Sequence, residues 1–364
     1  MNTPHEFGPL RAGLENLRAN GFAGGAALAT LTRTFGSTFR RAGARMLVCG
    51  DGTVVRGLSG GCPEADIIAR AHEVIGSGAS RIVRYDRENG LDALLELGCG
   101  GELEVLIEPL PDATALQFAD AAALCLEQRT NGVLATVFMV DGRCLAPLPQ
   151  RLVWSGAVRV NSIIHPGLAA AVVAHAAVLK PQAPTVIPFE VEGQAYDVLF
   201  ETLIPPHALS IIGATASAVA LARIGADLGW AVTLVDQRHD LPLPTQLPPT
   251  VRRLGANPSE VAARLILDAR SFAVVMTHNL ERDIEYLRVL GQAPLAYLGA
   301  IGSRQRARKL LDGCGNNPNV RAPAGLDLGS ETPEEIALAI AAEILAVSHA
   351  RRAQPLGETS GPIH

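Results

Sequence analysis

LSIIGATASAVALARIGADLGWAVTLVD, residues 209–236, is the stretch that decides the fold of the second half of the chain. It starts as a short apolar strand, turns at Gly213, continues as a helical segment and ends in a second apolar strand at Asp236. The later strands RSFAVVMTH and PLAYLGAIG, with the helical segments after them, continue the alternation. Strands separated by helices predict a parallel, doubly wound, Rossmann-like sheet.

The same stretch carries part of a dinucleotide-binding fingerprint. That fingerprint has three glycine positions, GxGxxG, and an acid about 20 residues further on that hydrogen-bonds a ribose. Here the three positions are Gly213, Thr215 and Ala218, and the acid is Asp236. Thr215 stands where glycine lets the backbone approach a pyrophosphate. Two alternatives therefore stay open: NAD(P) binding, and a Rossmann scaffold that uses its crevice otherwise.

Two more loops follow predicted strands, where a doubly wound sheet has its ligand crevice. His278 lies in the first, and Gly302, Ser303 and Arg304 lie in the second, just before a helix. Glycine, serine and arginine at a helix start suit a phosphate. A helix cap beside a surface arginine would give the same pattern, and a single histidine is more often structural than catalytic.

The first half of the chain has a different pattern, with strands that pair through tight turns. Asp-Gly at 51–52 and 141–142, and Glu-Gly at 192–193, predict three hairpins. Helices are predicted at 9–19, 63–78, 112–130 and 166–180. We expect an N-terminal mixed α/β domain over residues 1–204, a C-terminal Rossmann-like doubly wound parallel sheet over 205–350, and a disordered tail over 351–364.

Composition excludes several classes of function. The net charge of −5 and the aromatic content of 4% disfavour nucleic-acid binding, which needs a basic face and stacking rings. The N-terminus has no apolar signal region and no apolar run is long enough to span a bilayer, so we expect a cytoplasmic protein without a membrane partner. The six cysteines contain no CxxC pair, which disfavours structural zinc.

Two glycine-rich loops nevertheless place a cysteine where chemistry is expected. In GLSGGCPEAD, residues 57–66, Cys62 precedes a predicted helix, whose N-terminus would stabilise a thiolate. Gly60 and Gly61 let a ligand approach the main chain, and Glu64 either complements the helix dipole or contacts ligand. In LGCGG, residues 97–101, glycines surround a second cysteine. The alternative for each cysteine is a small residue that fills a turn.

A basic loop at 34–45, TFGSTFRRAGAR, follows a strand. Arginines beside a glycine turn suit an oxyanion or a phosphate, although a solvated loop would have the same composition. Together with the thiols, these arginines favour a sulfur-rich, phosphorylated ligand.

At these residues the chain resembles the XdhC/CoxI family, the maturation factors of xanthine dehydrogenase-type molybdenum enzymes. Seven segments carry the resemblance in order along the chain: 36–46, 57–66, 97–110, 209–238, 274–283, 298–306 and 325–345. The chain departs from the family where prolines are replaced by Phe39, Arg41 and Ala42, and where the usual GAG turn is Gly213-Ala214-Thr215.

The resemblance implies a non-catalytic chaperone rather than an enzyme. It implies binding of the molybdenum cofactor, a pterin dithiolene with a phosphate, and its protection while a cysteine desulfurase installs a sulfido ligand. Insertion into an apo molybdenum hydroxylase of the xanthine dehydrogenase or aldehyde oxidase type would follow, and a homodimer is implied. Cys62 and Cys99 are expected as metal ligands. The residues expected to bind the cofactor are Arg40, Arg45, Ser59, Gly60, Gly61, Cys62, Glu64, Cys99, Gly100, Gly101, Gly213, Asp236, His278, Gly302, Ser303 and Arg304.

Two rival functions remain at this stage. The Rossmann-like half and Asp236 would serve an NAD(P)-dependent oxidoreductase. A scaffold that docks the desulfurase or the apo-enzyme would need the cysteines only for structure.

Overall fold

A computed structural model describes residues 4–36, 38–58, 63–86, 101–237 and 247–359 of the chain. The chain forms two compact units, Met1–Pro205 and Pro206–His364. Each unit is built around its own β-sheet structure, antiparallel in the first unit and parallel in the second.

The first unit contains four α-helices among its described residues, and these are α1 (Pro4–Ala19), α2 (Pro63–Ser77), α3 (Gln117–Glu127) and α4 (Pro166–Val178). Its strands are β1 (Ala26–Phe35), β2 (Arg45–Cys49), β3 (Val54–Val55), β4 (Arg81–Tyr85), β5 (Glu102–Pro109), β6 (Gly132–Val140), β7 (Arg143–Cys144), β8 (Gln150–Trp154), β9 (Val158–Asn161), β10 (Thr185–Val191) and β11 (Gln194–Leu203).

Two sheets organise this unit. The first has the strand order β3-β2-β1-β5-β4, and the second has the order β10-β11-β6-β8-β9 with β7 paired to β6. Ala27, Ala29 and Leu31 alternate along β1 and pack with Ile67 and Ala71 of α2, because alternate residues of a strand face one side of the sheet. This packing fixes α2 against one face of the first sheet.

The second unit contains five α-helices among its described residues: α5 (Ala216–Asp227), α6 (Pro258–Arg264), α7 (Leu280–Leu290), α8 (Arg304–Gly313) and α9 (Pro333–Ser348). Its strands are β12 (Ala208–Ile212), β13 (Ala231–Val235), β14 (Arg252–Leu254), β15 (Ser271–Val275), β16 (Tyr297–Ala300) and β17 (Val320–Arg321).

All six of these strands are parallel, in the order β14-β13-β12-β15-β16-β17. The first strand is central, and the chain adds strands on one side of it and then on the other, which is the order of a dinucleotide-binding Rossmann sheet. Helices α5 and α9 pack on one face, and α6, α7 and α8 pack on the other. The predicted doubly wound architecture is confirmed.

The three predicted hairpin turns are confirmed as well. Asp141, Gly142, Glu192 and Gly193 all have positive φ, which is the backbone of a two-residue type I′ turn. The turn at 51–52 closes with a hydrogen bond from the Cys49 N–H to the Thr53 carbonyl. The predicted helices at 9–19, 63–78, 112–130 and 166–180 correspond to α1, α2, α3 and α4.

Several short elements were not predicted, namely β8, β9, β14, α6 and β17. These are short, and each contains charged residues that interrupt an apolar pattern. In the predicted tail, residues 351–359 are exposed and include one short 3-10 turn, Leu356–Glu358. None of the described helices combines the length and apolarity required to cross a membrane.

Candidate functional site

The loops singled out in the first half begin or end at one edge of the five-stranded sheet. Antiparallel pairing sets Phe35, the last residue of β1, opposite Glu102, the first residue of β5. It also sets Tyr85, the last residue of β4, opposite Leu103. The start of the basic loop, the end of β4 and the start of β5 therefore lie together at this end of the sheet, which we call the site edge.

The first turn of α2 is held at the same edge. The Tyr85 hydroxyl donates a hydrogen bond of 2.7 Å to the Asp66 carboxylate, which also accepts 2.7 Å from Arg70. Burial alone would raise the pKa of Asp66, but the hydrogen bonds from Arg70 and Tyr85 lower it. Burial, together with Asp66, raises the pKa of Tyr85 well above its usual range, so the phenol keeps the donated proton.

Helix α2 begins at Pro63, as predicted, and Glu64 lies in its first turn. The Glu64 carboxylate folds back over Gly57, where a Cβ atom would lie 2.3 Å from one of its oxygens. Gly57 therefore leaves room for this acidic side chain beside the loop that leads into α2.

Part of the predicted site lies outside the described residues: Ser59, Gly60, Gly61, Cys62, Cys99 and Gly100. Gly101 is described, buried, and directly precedes β5. Within the described residues no group of three or more His, Cys, Asp or Glu side chains is arranged to hold a metal ion. The prediction of thiolate metal ligands concerns Cys62 and Cys99, which lie outside the described residues.

The two arginines predicted at the basic loop differ in their surroundings. Arg45 is buried on β2, and its guanidinium binds both oxygens of the Glu201 carboxylate on β11, at 2.7 and 2.5 Å. This pair joins the two sheets of the first unit, so Arg45 has a structural role and we leave it out of the proposed ligand set. Arg40 is half-buried in the loop, and its neighbour Arg41 is exposed.

A second ionic cluster joins the same two sheets. The buried Glu104 carboxylate accepts hydrogen bonds from Thr32 at 2.9 Å, from Arg84 at 2.9 Å and from Arg33. Arg33 also reaches Asp197 of the second sheet at 2.7 Å. This cluster had no signal in the sequence, because its members lie far apart along the chain.

A groove of about 500 Å³ opens beside this cluster, and its lining residues are Ser80, Arg81, Ile82, Arg84, Met139, Gly142 and Cys144. Burial, then the nearby Glu108 and Glu104, raise the pKa of the Cys144 thiol to about 11. Cys144 is therefore a neutral thiol at neutral pH, as expected of a cysteine in a structural role.

In the second unit, the predicted residues come together at the carboxyl edge of the parallel sheet. The register pairs Ile212 with Val235 and with Val275, and Val275 with Ala300, so these four strand ends are level. The residues that closely follow these ends include the predicted Gly213, Asp236, His278, Gly302, Ser303 and Arg304. His278 and Arg304 are exposed there, and His278 has a positive φ.

The turn between β12 and α5 shows why Gly213 and Thr215 occupy the first two positions of the incomplete fingerprint. Gly213 has φ +120°, and a Cβ atom there would lie 2.7 Å from the Met276 carbonyl oxygen. Thr215 is the N-cap of α5, and its hydroxyl accepts from the Ala218 N–H at 3.2 Å. The helix N–H group that the hydroxyl caps is thus already hydrogen-bonded within the chain.

A buried carboxylate at the same edge was missed by the sequence reasoning. Asp283 is fully buried in α7, where it accepts from the Thr277 hydroxyl and, at 2.7 Å, from Arg306 of α8. A signal was present: positions 283, 286, 287 and 290 form the buried side of α7, so an acid occupies an apolar position of the helical pattern.

The chain is similar to known families and proteins in both of its units. A family described as "XdhC and CoxI family" matches residues 23–86, and one described as "XdhC Rossmann domain" matches residues 209–344. The first match runs from the residues before β1 to the end of β4, and so includes most of the site edge. The second covers nearly all of the parallel sheet and its helices.

Curated relatives match along most of the chain. A probable xanthine dehydrogenase component of Bacillus subtilis is 26% identical over 329 residues, covering 88% of this chain and 92% of the relative. The molybdenum cofactor insertion chaperone PaoD of Escherichia coli is 25% identical over 330 residues, covering 89% of this chain and 83% of the relative. Both are similar to both units.

A solved structure shares the fold. The crystal structure of a xanthine dehydrogenase from Bacillus halodurans superimposes with a TM-score of 0.74 and 24% identity, covering 99% of this chain and 98% of that chain. At this level of identity the likeness concerns the fold alone.

Proposed function

The chain belongs to the XdhC and CoxI family, and from that premise we propose that it binds the molybdenum cofactor and inserts it into an apo molybdenum hydroxylase. The cofactor is cargo in this proposal: it is held, protected while its sulfido ligand is installed, and handed on. The chain acts as a chaperone and carries out no turnover of its own.

The observation that carries the proposal is the overlap between the family match and the site edge. Residues 23–86 contain β1, the basic loop, the GLSGGCPEAD loop and α2, and the hydrogen bond between Asp66 and Tyr85 ties the start of α2 to the end of β4. The relative PaoD, named as a molybdenum cofactor insertion chaperone, supports the assignment of cargo.

We assign the soft-metal contact to Cys62 and Cys99, whose near neighbours in the sequence, Pro63 and Gly101, flank the site edge. Thiolates suit molybdenum–sulfur chemistry and would hold the dithiolene end of the cargo. Arg40 and the main chain of the glycine-rich loops would receive the phosphate.

Metal and pterin analysis tests the proposal. The full chain is purified from cells that make the cofactor, as wild type, Cys62→Ser, Cys99→Ser and the double variant. Molybdenum and pterin should co-purify with wild type and fall in each single variant. Cys314→Ser is the matched control, because that thiol is half-buried at the end of α8 in the second unit and donates to the Leu311 carbonyl. Equal cofactor content in wild type and the double variant would remove the thiols from the proposal.

Delivery is tested separately with a purified apo hydroxylase. Loaded wild-type protein should restore activity to the apo-enzyme, and addition of a cysteine desulfurase with cysteine should increase the active fraction. Sedimentation of the loaded and unloaded protein would test the homodimer. Cofactor binding without any transfer to apo-enzyme would reduce the role to storage.

The rival oxidoreductase is favoured by one observation, the strand order of the second unit. Thr215 acts against it, because its side chain caps α5 at the place where a glycine would admit a pyrophosphate. Titration with NAD and NADP discriminates: saturable binding at physiological concentrations would favour the rival, and its absence would leave the chaperone.

A further inference from the structure

The basic loop exposes two phenylalanine rings at the site edge. The chain has nine phenylalanines, all of them described, and seven are buried or half-buried. Phe35 is 57% exposed and Phe39 is 75% exposed. A folded chain gains free energy by burying phenylalanine, so two exposed rings four residues apart in one loop make this loop a candidate contact surface.

The backbone presents these rings in a defined way. β1 ends at Phe35, and Gly36 has φ +70°. The Thr38 hydroxyl donates a hydrogen bond of 2.9 Å to the Arg40 carbonyl, which places Phe39 at the tip of a closed turn. Further along, the Gly43 N–H donates to the Leu31 carbonyl at 2.7 Å and returns the loop to the sheet. Phe39 is therefore held outward by a hydrogen-bonded turn.

The charge around the rings points to the kind of ligand. No aspartate or glutamate occurs from residue 16 to residue 50, although the chain as a whole has a net charge of −5. Arg40 and Arg41 directly follow Phe39. An aromatic face beside guanidinium groups suits a flat heteroaromatic ring that carries an anionic group.

The position of the two phenylalanine rings favours a heteroaromatic ligand over a protein partner. Phe35 pairs with Glu102, one residue from the buried Gly101, at the edge where α2 also begins. A ring stacked there would lie beside Gly101 and the first turn of α2, which follow directly in sequence the residues that the proposed function assigns to the cargo. A docking surface for a protein has no need to coincide with that edge.

We propose that Phe39, assisted by Phe35, stacks on the pterin ring system of the cargo, while Arg41 joins Arg40 in engaging its phosphate. The inference rests on the proposed function, since it concerns how the same cargo is held. It makes Phe39 a specificity-determining residue: the ring selects a planar heteroaromatic ligand, whereas the thiols select its metal.

The test uses the full chain and molybdenum cofactor released from a purified molybdenum enzyme. Affinity is measured by the change in pterin fluorescence. Phe39→Leu keeps an apolar side chain and removes the ring, and it should weaken binding about tenfold. Phe39→Trp should retain wild-type affinity. Ile164→Ala, an equally exposed apolar position of the same unit, is the matched control and should bind as wild type does.

The outcomes separate this inference from the proposed function. If wild type does not bind the cofactor, the proposed function fails and the inference fails with it. If wild type binds, and Phe39→Leu and the Phe35→Leu/Phe39→Leu double variant bind equally well, only the stacking inference is overturned. If the double variant keeps its cofactor but no longer activates apo-enzyme, the rings contact the protein partner, and stacking is again overturned.

Discussion

Arg45 and Glu201 form a buried, two-point ion pair that joins the two sheets of the first unit. Arg45 is 4% exposed and Glu201 is fully buried, and both guanidinium Nη atoms contact carboxylate oxygens. A guanidinium on β2 thereby meets a carboxylate on β11, far along the chain. The basic loop that follows β1 is consequently attached at its far end to the core of the unit.

Removing one member of this pair should destabilise the protein strongly. Arg45→Met removes the guanidinium that binds both oxygens of the buried Glu201 carboxylate, and it should cost about 3–5 kcal/mol of unfolding free energy. Glu201→Leu should cost a similar amount. The double variant should be much less destabilised than the sum of the two. A double-mutant cycle by denaturant unfolding measures this coupling, and strict additivity would contradict it.

The same pair should make stability depend on acid. Burial acts to raise the pKa of Glu201, but the charge of Arg45 is the chief cause that lowers it, from the ordinary 4.5 to about 2. Because the folded-state pKa is depressed, the stabilisation is complete above the unfolded-state pKa and is lost as pH falls towards the folded value.

The advantage of wild type over Glu201→Gln should thus be constant near neutral pH and shrink as pH falls from about 4.5 towards 2. Unfolding free energies measured across this range test the trend. Glu190→Gln, which removes an exposed carboxylate of β10, is the matched control. A constant gap for Glu201→Gln at every pH would refute this linkage.

Gly213 should not tolerate a side chain. Alanine would need φ +120° and would bring its Cβ within 2.7 Å of the Met276 carbonyl oxygen. Gly213→Ala should therefore cost at least about 2 kcal/mol. Gly357→Ala, at a position in the same unit with open space around it, should be close to neutral in the same thermal unfolding experiment.

The buried Asp283–Arg306 ion pair should contribute strongly to the stability of the second unit. Arg306→Gln removes the charged partner of the fully buried Asp283, keeps its hydrogen bond from the Thr277 hydroxyl, and should cost about 3 kcal/mol. Arg304→Gln, two residues earlier and exposed, should change stability by less than about 0.5 kcal/mol. Thermal unfolding compares the two, and equal effects would show that the buried pair has no special role.

Much of the fold was predictable because its signals are local. The turns at 141–142 and 192–193 have positive φ at both positions, which glycine adopts readily at the second; Asp141 favours it at the first, whereas Glu192 adopts it because the turn requires it. The apolar strand at 208–212, the capped helix after it and the second apolar strand indicate a parallel sheet within about 30 residues of sequence. The strands β8 and β9 escaped prediction because their short, charged segments acquire their pattern only when β8 pairs with β6 and β9 with β8.

The candidate site was predictable as a set of loops but not as a set of partners. Arg40 and Arg45 both belong to one basic stretch, yet only Arg45 is fully buried and paired with Glu201. Asp283 resembles an exposed acidic residue in the first turn of a helix, but its spacing from Tyr286, Leu287 and Leu290 places it on the buried side of α7. Which guanidinium is used for structure depends on a carboxylate that the loop sequence does not contain.

The sequence by itself determined the longer elements and their order, because turn chemistry and apolar periodicity act between residues close together in the chain. The tertiary structure decided how charges pair and which strand ends lie side by side. Glu102 becomes the neighbour of Phe35, and Tyr85 the neighbour of Asp66, only through strand register and the packing of α2. Ion pairs and hydrogen bonds form between groups a few ångströms apart in space, and that proximity is set by strand order and register rather than by distance along the chain.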